Sequence, residues 1–268
     1  MVIFTKFVRN YYMQLSQREN KKAEKKTLQT SGKLHIYYRT SDKGYPKEKP
    51  DFINNDHCLI NALTMLPPSK VDWHILCDNC SEDSLERIKK IWKDFNCKPE
   101  NLKTAQIGHG AGTFRMVYEE ALSLPDNDLV YFLENDYLHT DEAYDSIINA
   151  FEKLNNNIDY LTLYDHPDKY RKGYVFSHPY NKFCKLFFDD KRVWQRVPST
   201  TMTFCAMVKT LKKDKKVFWN YTNTKHPYDL EIFINLLLKH RVLVSPIPSI
   251  STHGETEFLA HGVKWEEL

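Results

Sequence analysis

Five apolar residues, 129–133, run straight into Glu134, Asn135 and Asp136 within the stretch DLVYFLENDYLH at 128–139. Apolar side chains on both faces suit a strand in the middle of a parallel sheet. In open α/β sheets, ligands bind just beyond the carboxyl ends of such strands. An acidic cluster at that place can hold a hard cation, and a hard cation can hold phosphates. The alternative is an ordinary solvated turn. Upstream, Gly108, Gly110 and Gly112 precede Arg115. They do not make a dinucleotide fingerprint, because Thr113 stands where its last glycine is required and the first strand of the unit lies elsewhere. What remains is a small-residue turn that lets backbone approach a ligand, with Arg115 placed to clamp a phosphate or to form a surface ion pair.

These residues need elements to position them. A first strand is expected over 34–38, ending in Arg39, Ser41 and Asp42, and a helix over 52–66 stopped by Pro67 and Pro68. A second strand over 72–76 ends at Asp78. Ser81 is a cap for the next helix, whose Leu85, Ile88, Trp92 and Phe95 share one face. A strand at 102–107, the glycine turn, a helix at 114–123 and the apolar strand follow. A helix containing Tyr144, Ile147, Ile148, Phe151 and Leu154 then leads to a strand at 160–164. This alternation predicts a doubly wound, mostly parallel α/β sheet flanked by helices. The second half, from 166, is less regular, with a strand at 202–208 and a helix at 229–239.

Composition narrows the class. A chain of 268 residues, 41% hydrophobic and 27% charged, has the make-up of a globular protein with a sizeable core. A net charge of +3 gives no argument for a nucleic-acid partner. Six cysteines in no dense framework favour a reduced, cytoplasmic setting. Cys77 and Cys80 form a CxxC without a second pair at zinc-ribbon spacing, so a metal or redox role stands beside two plain thiols at a strand end. Residues 1–32 read as a polar extension containing Lys21, Lys22, Lys25 and Lys26. Its first twelve residues mix aromatics with Lys6 and Arg9, a weakly amphipathic pattern suited to peripheral contact with a membrane or a partner.

The order of these motifs resembles the GT-A glycosyltransferases, particularly the family 2-like group. The resemblance covers roughly 33–255 and is strongest over 107–170. It is carried by Tyr38-Arg39-Thr40-Ser41-Asp42 after the first strand, Asp78 in CDNC after the second, GHGAGTFR, and the triplet Glu134-Asn135-Asp136. It implies one GT-A-like domain over 33–268, with a nucleotide-sugar half at 33–140 and an acceptor half at 141–268. It further implies that Arg39, Asp78, Arg115, Glu134 and Asn135 bind the donor, Asp78 through its base and Arg115 near the diphosphate or sugar. Asp136 then binds Mn²⁺ or Mg²⁺ between the phosphates, and His253 completes the metal shell. Asn135 departs from the pattern, since an acid is common there, but its amide can still bond a ribose hydroxyl.

The activity so implied is transfer of a sugar from a UDP- or GDP-sugar to a hydroxyl of a glycan or glycoconjugate, with inversion. Inversion needs a carboxylate that deprotonates the acceptor. Asp229 and Glu231 in HPYDLEIF stand where the family places it, Asp229 slightly ahead; both otherwise simply complement a helix dipole. Asp165 and His166 follow a strand end and are candidates for the acceptor or sugar pocket. The hydroxyls of 198–201 suit sugar recognition or a turn equally well. Trp194 and Trp219 are sugar platforms or core. Two other classes compete: a non-catalytic sugar- or partner-binding protein, and a nucleotidyltransferase. The latter expects a glycine-rich basic loop after the first strand, where this chain has only Gly44.

Overall fold

A strand with no polar face is stable only where both faces are covered. β1 (Leu34–Thr40) is buried at all seven positions, and β4 (Leu129–Glu134) is buried up to its last residue. The computed structural model of the chain describes residues 32–42, 48–154, 157–171 and 185–268, and in it both strands lie inside one sheet. The other members are β2 (Asp72–Asp78), β3 (Leu102–Ala105), β6 (Tyr160–Leu161), β7 (Leu186–Phe188), β8 (Val193–Val197), β9 (Phe204–Met207) and β10 (Leu243–Ile247), in the order β3-β2-β1-β4-β9-β6-β10-β8-β7. The pairings β1–β2, β1–β4, β2–β3 and β6–β10 are parallel. Only β8 and β9 run against the common direction. The expected α/β class with a mostly parallel sheet is therefore observed.

Helices cover both faces. α1 (Asn55–Met65), α2 (Glu82–Asp94) and α4 (Ala143–Leu154) bring Leu59, Leu63, Ile88, Trp92, Ile147 and Phe151 to one side, where they meet Leu129, Tyr131 and Leu133 of β4. α3 (Gly110–Ala121), α5 (Val208–Tyr221) and α6 (Asp229–Leu238) bring Phe114, Tyr118, Phe218, Ile232 and Phe233 to the other, against Val130 and Phe132. The alternation along β4 thus splits one strand between two cores, as a period of two requires.

Several boundaries differ from expectation. α1 starts at Asn55, because the Asn54 side chain accepts the His57 amide at 2.9 Å and caps it. Gly110 and Gly112 belong to the first turn of α3, not to a flexible turn before it; His109 Nδ1 accepts the Gly112 amide at 3.0 Å. Ser81 caps α2 as expected. The strand foreseen at 160–164 shortens to β6, and the one at 202–208 ends where α5 begins. A second, two-stranded sheet joins β5 (Tyr137–His139) antiparallel to β11 (Ser251–His253). The N-terminal segment suggested for membrane or partner contact, 1–31, lies outside the described residues, as does most of the loop at 43–50. Among the described residues, no helix is long and apolar enough to cross a membrane.

Candidate active site

Parallel strands deliver their carboxyl ends to the same edge of the sheet, so the ends of β1, β2 and β4 gather there. Arg39 and Glu134 are register partners, and Arg39 Nη2 lies 3.2 Å from Glu134 Oε1. The other terminal nitrogen of Arg39 donates to the Gly110 carbonyl at 3.3 Å and to Thr113 Oγ1 at 3.4 Å, which ties the strand end to α3. Glu134 is held from the far side by Thr203, whose hydroxyl donates to Oε2 at 3.2 Å. Its carboxylate is thereby fixed at the strand end rather than folded back into the core.

Asn135 turns its amide nitrogen inward. It donates to Asn55 Oδ1 at 2.9 Å, Thr40 Oγ1 at 3.3 Å and the Ser41 carbonyl at 3.4 Å, knitting the end of β1 to the start of α1. Asp136 is the residue that meets the C-terminal segment. Its Oδ2 lies 3.3 Å from His253 Nε2 and accepts from Lys49 Nζ at 3.1 Å. The pairing of β5 with β11 sets this contact, since it places His253 opposite Tyr137. Gly254 permits it. A Cβ there would stand 2.5 Å from Ile53 Cγ2 and 2.9 Å from the Asp136 carbonyl oxygen. Burial alone raises the Asp136 pKa, but the hydrogen bond and charge of His253, with Lys49, more than offset it and hold the carboxyl well below the usual range. Burial lowers the His253 pKa, and Asp136, Glu134 and Glu255 outweigh it to raise it. His253 Nδ1 lies 3.4 Å from Glu255 Oε1, so the imidazole stands between two carboxylates.

A divalent ion with oxygen and nitrogen ligands at about 2.1 Å has neighbouring ligands about 3 Å apart. The 3.3 Å separation of Asp136 Oδ2 and His253 Nε2 fits that spacing. No group of three or more protein ligands is present among the described residues. A hard cation that takes one or two protein ligands and completes its shell with phosphate oxygens and water is compatible with this pair. Lys49 would have to leave the Asp136 oxygen it shares.

Asp229 opens α6, with its Oδ1 accepting the Leu230 amide at 2.7 Å. Desolvation pushes its carboxyl up to about 6, against that hydrogen bond, with Glu134 and Glu231 adding repulsion. Glu134 at the strand end is among the charges that raise it, and His166 acts in the opposite sense. Glu231 is exposed on a different face of the helix.

The remaining candidates are positioned otherwise. Asp78 is buried, and its two oxygens accept the amides of Ile107 at 2.6 Å and Gly108 at 2.8 Å, so the carboxylate organises the turn before α3. Arg115 is engaged by the C-terminal end of α5. It donates to the Trp219 carbonyl at 2.6 Å and to Thr222 Oγ1 at 2.9 Å, with its guanidinium over the Trp219 ring, and so braces α3 against α5. Asp165 is buried against Lys169 and accepts from Tyr170 Oη at 2.7 Å. His166 caps a short turn through the Asp168 amide and rests on Tyr164 and Phe258, half-exposed. Trp194 is a correction: it is fully buried, its indole N–H donates to Asp189 at 2.7 Å, and it offers no face to a sugar. Lys49 and Thr203 were missed. Neither follows a strand end or sits in a motif, and only the fold reveals their contacts.

No protein-family model matches the chain, and no curated protein matches it. Solved structures resemble it at low identity. S. aureus TarS 1-349 shares 14% identity over 80% of this chain and 57% of that one, with a TM-score of 0.45. A second S. aureus TarS structure shares 12%, over 80% and 35%, with a TM-score of 0.42. A197 from STIV shares 12%, over 87% and 95%, with a TM-score of 0.43. The chain thus spans little more than half of one TarS chain and about a third of the other. Likenesses of this size leave activity to be read from the site itself.

Proposed function

We propose that the chain is a glycosyltransferase that moves a sugar from a nucleotide-diphosphate sugar to a hydroxyl acceptor, with inversion at the anomeric carbon. The observation that carries this reading is the meeting of Asp136 with His253 at the strand ends, with Glu134 of the same edge among the charges that act on Asp229. Asp136 and His253 would hold Mn²⁺ or Mg²⁺, which when bound neutralises the charge that develops on a departing diphosphate. Asp229 takes the proton of the acceptor hydroxyl. A carboxyl pushed up to about 6 is mostly ionised at neutral pH yet a better base than an ordinary aspartate. Glu134, fixed by Arg39 and Thr203, keeps negative charge near Asp229 and sustains that basicity. Arg39, Asp78 and Asn135 shape the donor side by tying β1, α1 and the turn before α3 together.

The test is donor turnover across a panel of UDP- and GDP-sugars with and without Mn²⁺. Asp136→Ala is expected to abolish metal-dependent donor binding, measured by calorimetry. Unchanged affinity would remove Asp136 from the metal site. Absence of metal-dependent turnover with every donor would refute the enzyme reading. It would favour donor or glycan binding without catalysis, a second reading to which the Lys49–Asp136 ion pair and the inward amide of Asn135 lend weight.

A further inference from the structure

The CxxC at the tip of β2 has no part in the proposed transfer. Cys77 is the penultimate residue of the strand and pairs in register with Thr40 of β1. The chain then turns through Asn79, whose φ of 50° lies in the left-handed region, and brings Cys80 back over the same strand end. Cys80 Sγ lies 3.9 Å from the Thr40 carbonyl oxygen and 4.0 Å from that of Asp78. Both thiols therefore sit at the last turn of one strand, with Cys77 buried and Cys80 half-exposed.

The environment separates their roles. The neighbouring Cys77 thiol holds the Cys80 thiol below its ordinary value, against burial and the charges of Asp42 and Asp78. The Cys80 thiol, with burial, pushes Cys77 up. Burial pushes Cys58 and Cys97 up to about 12, which leaves them inert. A half-exposed cysteine brought back to the strand end that holds a buried one, both beside Thr40, is the arrangement of an attacking and a resolving cysteine. We propose that Cys77 and Cys80 are a redox-active dithiol that closes to a disulfide on reaction with a low-molecular-weight disulfide such as oxidised glutathione. The Cys80 thiolate attacks one glutathione sulfur, expelling the other half as a thiolate and leaving a mixed disulfide on Cys80. Cys77 then loses its proton and attacks Cys80 Sγ, expelling the second glutathione. Two protein thiols are oxidised by two electrons, and one glutathione disulfide is reduced to two thiols.

The bond would span Asp78 and Asn79. Asp78 holds the amides of Ile107 and Gly108, and the Asn79 amide donates to the Ala105 carbonyl at 3.0 Å, so closure acts on the turn that leads into α3. An effect on donor binding rests on the glycosyltransferase reading; formation of the disulfide does not.

The full chain is equilibrated with reduced and oxidised glutathione, remaining thiols are alkylated, and the peptides are weighed. In excess oxidised glutathione the peptide carrying both cysteines should lose two alkyl groups and be about 2 Da lighter than its reduced form, reversibly with dithiothreitol. Cys77→Ser should stop at a glutathione adduct on Cys80, and Cys80→Ser should give neither adduct nor disulfide. Full alkylation of both cysteines under oxidising conditions, or no adduct on Cys80 in Cys77→Ser, would overturn the proposal. So would stoichiometric Zn²⁺ on the purified chain that shields both thiols. Donor affinity measured on oxidised and reduced protein is a separate readout, and its failure leaves the peptide result standing.

Discussion

Asp229 is a carboxylate that folding makes more basic, which reverses the usual link between a carboxyl and stability. Its folded value of about 6 exceeds the ordinary 3.8, so between those values the folded chain binds more protons than the unfolded one. Stability from this group is complete below the unfolded value and falls as pH rises through the folded value. At neutral pH the ionised side chain therefore destabilises the fold by on the order of 1–3 kcal/mol. Asp229→Asn keeps the shape and removes the charge. The expected outcome is equal or higher stability in urea at pH 7, intact donor binding, and transfer reduced by roughly 10²–10⁴-fold. Wild-type transfer should fall as pH drops through about 6, where the base becomes protonated. Persistence of transfer in the variant would place the base elsewhere. Residue types pointed to Asp136 and Asp229, because acids at a strand end and at a helix start are local patterns, whereas His253 was singled out only by the resemblance of the motif order to a known family. Arg115 was legible as a helix-start arginine but not in its direction, since its partners lie 104 and 107 residues further along the chain. Trp194 was equally ambiguous, because an indole is core or platform by context alone.

At the scale of elements, the meeting of Asp136 with His253 depends on two strands of three residues each, β5 and β11, paired antiparallel in their own small sheet. Their tight approach ends at Gly254, which packs on Ile53 and on the Asp136 backbone. Gly254→Ala forces these to separate, at a cost of about 1–3 kcal/mol typical of overpacking. The expected outcome is a Mn²⁺ affinity at least about tenfold weaker, a loss of about 1.4 kcal/mol, with the sheet still folded by circular dichroism. Unaltered Mn²⁺ binding would show that the β5–β11 pairing does not set the site. Alternation of strands and helices was readable through 34–165 because buried strands are continuous apolar runs and the helices carry one apolar face. The β5–β11 pairing was not readable, since three-residue strands leave no period to count. α5 was missed for another reason. Its lysines at 209, 212, 213, 215 and 216 hide an apolar face made by Leu211, Val217 and Phe218.

At the scale of the whole molecule, both faces of the central strands are covered, and that coverage traps ionisable groups where a charge has little to stabilise it. His139 lies fully buried on β5 with Nε2 at 2.9 Å from Tyr131 Oη, while its Nδ1 has no hydrogen-bond partner among the described residues; burial pushes its pKa down to about 3. His74 stacks on Tyr37 at 4.5 Å and lies 3.3 Å from His35, and burial with the neighbouring histidine pushes it down to about 4. Both folded values lie below the ordinary 6.5, so between them the unfolded chain binds more protons. Stability from these groups is complete above the unfolded value and is lost as pH falls toward the folded one, by on the order of 3 kcal/mol for each histidine. The depressed carboxyl of Asp136 adds to the loss only at lower pH, because its ion pair persists until the acid is protonated. His74→Gln isolates one contribution, since the side chain is 17% exposed and tolerates a neutral polar substitute without opening a core cavity. The variant should lose less stability than wild type between pH 7 and pH 4, with the difference measured by urea unfolding at both values. Parallel losses in the two proteins would mean that His74 is not held neutral in the fold. The acid limb would then have to come from the carboxylates.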